Sequence, residues 1–211
     1  SSGWGGRILG AMSIDDRQLH YVGTDPNPDN YIDDLDKSRY EYLADWFNEN
    51  TNGGNPFFGH QNTYELFQDG SENIADNPRF QKYKGKLDLV FTSPPYFNRE
   101  QYSEDESQSF KKFAEYDDWR DNFLRPTLTT CAEYLKNDRY LLWNIADLLE
   151  GGSELLPLEK DSRDILEELG LTYVKTLKMV MASMMGVDPN NVKNCCKVDG
   201  EMQKYEPIFV F

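Results

Sequence analysis

Leu87-Asp88-Leu89-Val90-Phe91 runs directly into Thr92-Ser93-Pro94-Pro95-Tyr96-Phe97. The first five residues form an apolar run rich in β-formers and predict a buried strand. Two prolines directly after a strand cannot extend a ladder, because neither carries a donor N–H. They also hold the residues before them, Ser93 and Pro94, in extended geometry. The carbonyls of Ser93 and Pro94 are therefore expected to be rigidly aimed away from any strand partner, with an aromatic ring just beyond. Such a corner can accept hydrogen bonds from an amino group while a ring stacks on the flat group that carries it. Taken alone, Pro-Pro-Tyr is more often a proline-stiffened turn with an incidental tyrosine, so the rest of the chain has to decide.

Upstream, Gly3-Trp4-Gly5-Gly6 precedes a helical pattern carried by Ile8, Leu9, Ala11 and Met12. Glycines permit positive φ and close backbone approach, which lets such a turn cradle a cofactor at a helix N-terminus. Leu19 to Thr24 then reads as a strand that stops at Asp25-Pro26-Asn27. A carboxylate about 20 residues past a glycine turn, at the end of a strand, accepts from both hydroxyls of a ribose at once. Asp25 before proline is also an ordinary turn-starting residue. Together the two features suit a nucleoside cofactor.

Asp36 or Ser38 is expected to cap a helix whose Tyr40, Leu43, Ala44 and Phe47 share one face. Thr63 to Phe67 predicts a strand, with Asp69-Gly70-Ser71-Glu72 turning at its end. Beyond the diproline corner, Asn98 to Ser109 is a polar, acidic loop with Tyr102 as its main aromatic. A helical stretch opens at Tyr116 and carries Trp119, Phe123, Leu128, Cys131 and Leu135 at helical spacing, with Pro126 forcing a kink or break. Arg139 to Ile145 is a predicted strand and Ser162 to Leu169 a helix. Thr172 to Met181 and Tyr205 to Phe211 are two closing strands, and the segment between them is expected to be irregular. Strands alternate with helices until two strands close the chain. That order predicts an α/β fold, a doubly wound sheet with an antiparallel C-terminal hairpin at its edge, in one domain over residues 1–211. The glycine turn, Asp25 and the diproline corner all fall at carboxyl ends of strands, where such sheets bind ligands.

Composition narrows the partners. The net charge of -15 argues against tight, non-specific nucleic-acid binding by this chain alone, because such binding needs a basic face. Three cysteines without CxxC spacing and two histidines suggest a reducing compartment and argue against a zinc site or a histidine triad. No metal is expected, and no apolar run reaches the roughly 18 residues of a membrane span.

Ser93-Pro94-Pro95-Tyr96 after an apolar strand resembles the catalytic motif of the exocyclic-amino DNA methyltransferases. Gly3-Trp4-Gly5-Gly6 resembles the adenosylmethionine loop of that Rossmann-like family, and Asp25 the acidic residue of its second motif. The family pattern Asp-Pro-Phe-x-Gly-x-Gly meets Ser1 where the phenylalanine would fall. Its Asp-Pro and first strand do not appear, so the sheet is expected to lack that strand at its centre. The resemblance implies S-adenosyl-L-methionine as cofactor, held by Gly3, Trp4, Gly5, Asp25, Thr92 and either Asp69 or Ser71. It implies Ser93, Pro94, Pro95 and Tyr96 as catalytic residues and Phe97 or Tyr102 as a wall for the substrate base. The implied reaction is methylation of a DNA base, flipped out or single-stranded, with cytosine N4 slightly preferred over adenine N6. No separate recognition domain is expected, so target choice falls to another chain or a homodimer, in a cytoplasmic bacterial or phage setting such as restriction-modification. The competing readings are a non-catalytic or truncated member of the fold, an RNA-base or protein-glutamine methyltransferase, and an acidic DNA mimic.

Overall fold

The computed structural model describes residues 2–50, 62–99, 103–150, 154–181 and 194–211. Helix α1 (Gly6–Met12) leads to strand β1 (His20–Thr24), and helix α2 (Arg39–Asn50) to strand β2 (Thr63–Phe67). Strand β3 (Leu87–Thr92) follows, then helix α3 (Arg125–Tyr134) and strand β4 (Leu135–Asn144). Helix α4 (Leu158–Glu168) precedes three strands, β5 (Lys175–Val180), β6 (Cys195–Val198) and β7 (Glu201–Val210). The α/β order expected from the sequence is present, with an antiparallel end.

The strands form two principal groups. β1 and β2 pair in parallel, with Val22 opposite Glu65 and Thr24 opposite Phe67. β3 pairs with β4 in parallel, and β4, β5 and β6 each pair antiparallel with β7. β1 and β3 therefore end their respective sheets. Alternation along each strand supplies two faces. Tyr21 and Tyr64 pack against Ile8, Met12, Tyr40 and Ala44 of α1 and α2. Val22 and Phe67 face the other way, into a cluster with Phe80, Tyr134 and Leu87 that joins the two sheets. In the larger sheet, Val90, Leu141, Trp143 and Phe209 meet Leu128 of α3 and Ile165 and Leu166 of α4. Each such side chain, once buried, contributes about 1.5–3 kcal/mol.

Local chemistry explains the element limits. Ser38 and Glu41 form a reciprocal cap on α2: the Ser38 N–H donates to Glu41 Oε2 at 2.7 Å and the Glu41 N–H to Ser38 Oγ at 3.2 Å. Of the two expected caps, Ser38 holds the helix, while Asp36 sits in the left-handed region at φ 49°. Pro126 does not break its helix. A π turn at Arg120–Leu124 widens the coil just ahead of it, where the proline ring would otherwise meet the carbonyl four residues back. Trp119, Phe123, Leu124 and Leu128 thereby stay in one core cluster. The segment expected to be irregular before β7 contains β6, paired with β7 from Cys195 opposite Lys204 to Val198 opposite Glu201.

Candidate active site

Gly3 and Gly5 adopt φ of 59° and 91°, values that only glycine takes without strain. A Cβ on Gly5 would stand 2.7 Å from Leu43 Cδ1, and one on Gly3 the same distance from Arg7 Nη1. The bend is thus packed tightly against both α1 and α2. Arg7, the second residue of α1, packs against Gly3 and reaches across to the other bend, donating from Nη2 to the Ser93 carbonyl at 3.4 Å. The glycine bend and the diproline corner are neighbours at the carboxyl ends of β1 and β3.

A cavity of about 320 Å³ opens between them, at the small end of the range for small-molecule sites. Gly3, Trp4, Asp25, Ser71 and Pro95 line it, so five of the expected site residues converge. Trp4 stands at the rim with 83% of its surface exposed. Ser71 is held by a 3.0 Å hydrogen bond between its hydroxyl and that of Thr127.

Asp25 is fixed from three directions. Its Oδ1 accepts from the Asn27 N–H and from Asn30 Nδ2, each at 3.1 Å. Its Oδ2 accepts from the Tyr40 hydroxyl at 3.0 Å. Burial, and then the negative charge of Asp25, push the Tyr40 phenol well above its ordinary pKa, so it stays a donor. The carboxylate keeps acceptor capacity for hydroxyl donors arriving from the cavity.

Several expected residues lie elsewhere. Gly5 caps α1 outside the cavity lining, and Asp69 does not reach the cavity either. The acidic residue that does is Glu72, folded back over Gly70, only 5% exposed and paired with Lys112 Nζ at 2.7 Å. Thr92 is buried at the end of β3 opposite Trp143. Ser93 and Pro94 sit beside the cavity and not in its lining.

Phe97 was expected as a wall for a base. It is 2% exposed, edge-on to Tyr116 and Trp119, and takes the left-handed φ of 41° that turns the chain inward. Its ring anchors the corner to the core. Tyr96 is buried too, at 8% exposure in the same cluster; an open stacking face was expected there. Tyr102 lies outside the described residues.

Sequence reasoning missed the polar lining. Asn30, Arg39, Tyr40 and Glu72 carry only turn or packing signals in the sequence, and Ser107 that of a plain loop, yet all five reach the cavity. Ser107, Gln108 and Ser109 line the cavity, in a segment tied at Ser107 and at Lys112. The Ser107 hydroxyl donates to the Pro26 carbonyl at 3.2 Å, and Lys112 holds Glu72. Gln108 and Ser109 in this segment are buried.

A family model described as DNA methylase (N6_N4_Mtase) matches residues 87–211, more than half of the chain. The chain belongs to this DNA methylase family. The match spans the diproline corner and the whole of the larger sheet. No curated protein matches the chain. Among solved structures, it is similar to TTHA0409 of Thermus thermophilus, named by inference as a DNA modification methylase and complexed with S-adenosyl-L-methionine. That likeness has a TM-score of 0.43 at 16% identity, over 67% of this chain and 52% of that one. An antibiotic-related methyltransferase is similar at 11% identity and a TM-score of 0.40, over 97% and 89% of the two chains. A Galdieria sulphuraria protein, named by inference as a sarcosine dimethylglycine methyltransferase, gives 11% and 0.38, over 83% and 63%. Likenesses this distant carry nothing about substrate, and the chain spans about half the length of the Thermus protein.

Proposed function

We propose that the chain transfers a methyl group from S-adenosyl-L-methionine to an exocyclic amino group of a DNA base, with cytosine N4 slightly favoured over adenine N6. The observation that carries this is the meeting of the two bends. Arg7 ties the glycine loop to Ser93 at 3.4 Å, and Gly3 and Pro95 share one cavity. Asp25 suits a ribose diol, and the acidic Glu72 and the Ser71 hydroxyl offer polar contacts for a heterocycle. Bound there, the cofactor supplies an electrophilic methyl group on a sulfonium.

The lone pair of an aromatic amine is delocalised into its ring, which makes the nitrogen a poor nucleophile. The Ser93 side chain and the Pro94 carbonyl accept its two hydrogens, draw it toward tetrahedral geometry and free that lone pair. As the N–CH3 bond formed, the S–CH3 bond would break, S-adenosylhomocysteine would leave and the nitrogen would release a proton to water; holding nitrogen and methyl in line would supply much of the rate. The base has to leave its stack, at a cost of a few kcal/mol that is least in single strands. Because Tyr96 is packed in the core, stacking on a base requires its ring to turn out of the corner as the base enters. With a charge of -15, most of the DNA affinity falls to another chain. Three free cysteines fit a reducing, cytoplasmic setting in a bacterium or phage.

A tritiated-methyl assay on DNA, RNA and protein, followed by nucleoside mass spectrometry, tests the proposal. N4-methylcytosine is the expected product. N6-methyladenine would keep the reaction and reverse the base preference. A chain that binds the cofactor and labels no DNA would refute the proposal in favour of a non-catalytic member of the fold, which the burial of Tyr96 would then explain.

A further inference from the structure

Tyr40 looks like core, and its ring is: it packs with Ile8, Met12 and Ala44. Its hydroxyl is placed differently, at the lining of the cavity. That oxygen stands 2.6 Å from the Gly3 carbonyl and 3.0 Å from Asp25 Oδ2, and accepts from Asn30 Nδ2 at 3.1 Å. The same Asn30 amide donates to Asp25 Oδ1. Asp25, Asn30 and Tyr40 therefore close a ring of hydrogen bonds, and the phenol proton is shared between the carboxylate and the glycine bend. A phenol has one proton and accepts through its oxygen, so its proton and one accepting position are used on the two walls of the cavity.

We infer that Tyr40 is the positioning residue of the donor site, holding the Asp25 carboxylate in a fixed orientation against the glycine bend so that its remaining acceptor capacity faces a ribose diol. The inference rests on the proposed cofactor reading and adds a residue to it. With the hydroxyl removed, Asp25 Oδ2 loses a donor and Gly3 its partner, while the ring still fills its place in the core. A tyrosine that served only packing would not distinguish one ligand contact from another.

The test is a double-mutant cycle read by calorimetry with S-adenosylhomocysteine on the full chain. Tyr40→Phe should weaken binding about tenfold, since bonds to a charged group are the stronger kind. In an Asp25→Asn background the same change should cost less than about threefold, because the two residues act as one unit. Thermal melting should move by no more than a few degrees. Asn30→Ala, which opens the ring from its third member, should weaken binding in the same direction and covers the case in which Tyr40→Phe folds poorly. Full affinity in Tyr40→Phe, or losses that simply add, would overturn the inference while leaving the cofactor reading intact. A wild-type chain that takes no S-adenosylhomocysteine would overturn both.

Discussion

Asp25→Asn removes the charge of the carboxylate proposed to hold the ribose while leaving its neighbours satisfied, and its consequence follows from the hydrogen bonds already in place. The amide oxygen takes the Oδ1 position, where the Asn27 N–H and Asn30 Nδ2 both donate. The amide nitrogen then falls at Oδ2, facing the Tyr40 oxygen, and the phenol proton passes wholly to the Gly3 carbonyl 2.6 Å away. The fold is satisfied, so melting should shift by less than about 2 °C, no more than about 1 kcal/mol on the 2–4 °C per kcal/mol scale of a domain this size. The ligand is not satisfied: a donor now meets a hydroxyl that had an acceptor, and the remaining acceptor is neutral. Losing a bond to a charged group costs about 1.5–3 kcal/mol, which is roughly 10- to 150-fold in Kd. Calorimetry with S-adenosylhomocysteine measures it directly. A loss below about threefold in a well-folded variant would refute the assignment of Asp25 to the ribose.

Three further outcomes follow from the same geometry. Glu65 is desolvated, which alone would raise its pKa, but Lys82, Tyr83 and Arg79 bond it and hold it down at about 2, below the ordinary 4.5. Its contribution to stability is present above about pH 4.5 and lost as pH falls toward 2, about 1 kcal/mol after screening at the surface; urea titrations should show Glu65→Gln flattening that acid limb, and an unchanged limb would remove the role. Phe97→Ala should cost about 3–5 kcal/mol of unfolding free energy, and a loss under about 1 kcal/mol would mean that the ring is not the anchor of the corner. Arg7→Met should slow methyl transfer about tenfold or more through misplacement of the corner while leaving cofactor affinity within about threefold; the reverse pattern would make Arg7 a cofactor ligand.

Most of the framework was legible because burial leaves a period in the sequence. Thr63–Phe67 is a strand over the limits its β-branched and aromatic residues suggest. β4 starts at Leu135, four residues before the apolar run, because pairing with Leu87 and not local pattern sets its start. β6 went unseen because Cys-Cys-Lys-Val carries no strong alternation and is held by its partner β7. α4 begins a turn ahead of Ser162, where Leu158 is fully buried and its carbonyl accepts from the Ser162 hydroxyl at 2.7 Å. In the site, the two bends and Asp25 were readable as motifs. Tyr40 was not, since helical spacing reports where a ring is buried and is silent about where its hydroxyl ends. Glu72 was hidden for a related reason: its partner Lys112 is 40 residues away. The burial of Phe97 and Tyr96 was hidden in the opposite sense, because a motif names residue types and does not say how deeply the fold sets their rings.

β3 closes one side of its sheet, with Leu89 (55% exposed) and Phe91 turned to solvent and Tyr140 of β4 beside them. An apolar strip on a terminal strand is a template for sticking chain to chain. What opposes that is the mutual repulsion of molecules carrying -15 each, and salt at physiological strength shortens its reach to about 8 Å. Dilute buffers should therefore keep the molecules apart, and saline ones bring their greasy margins together.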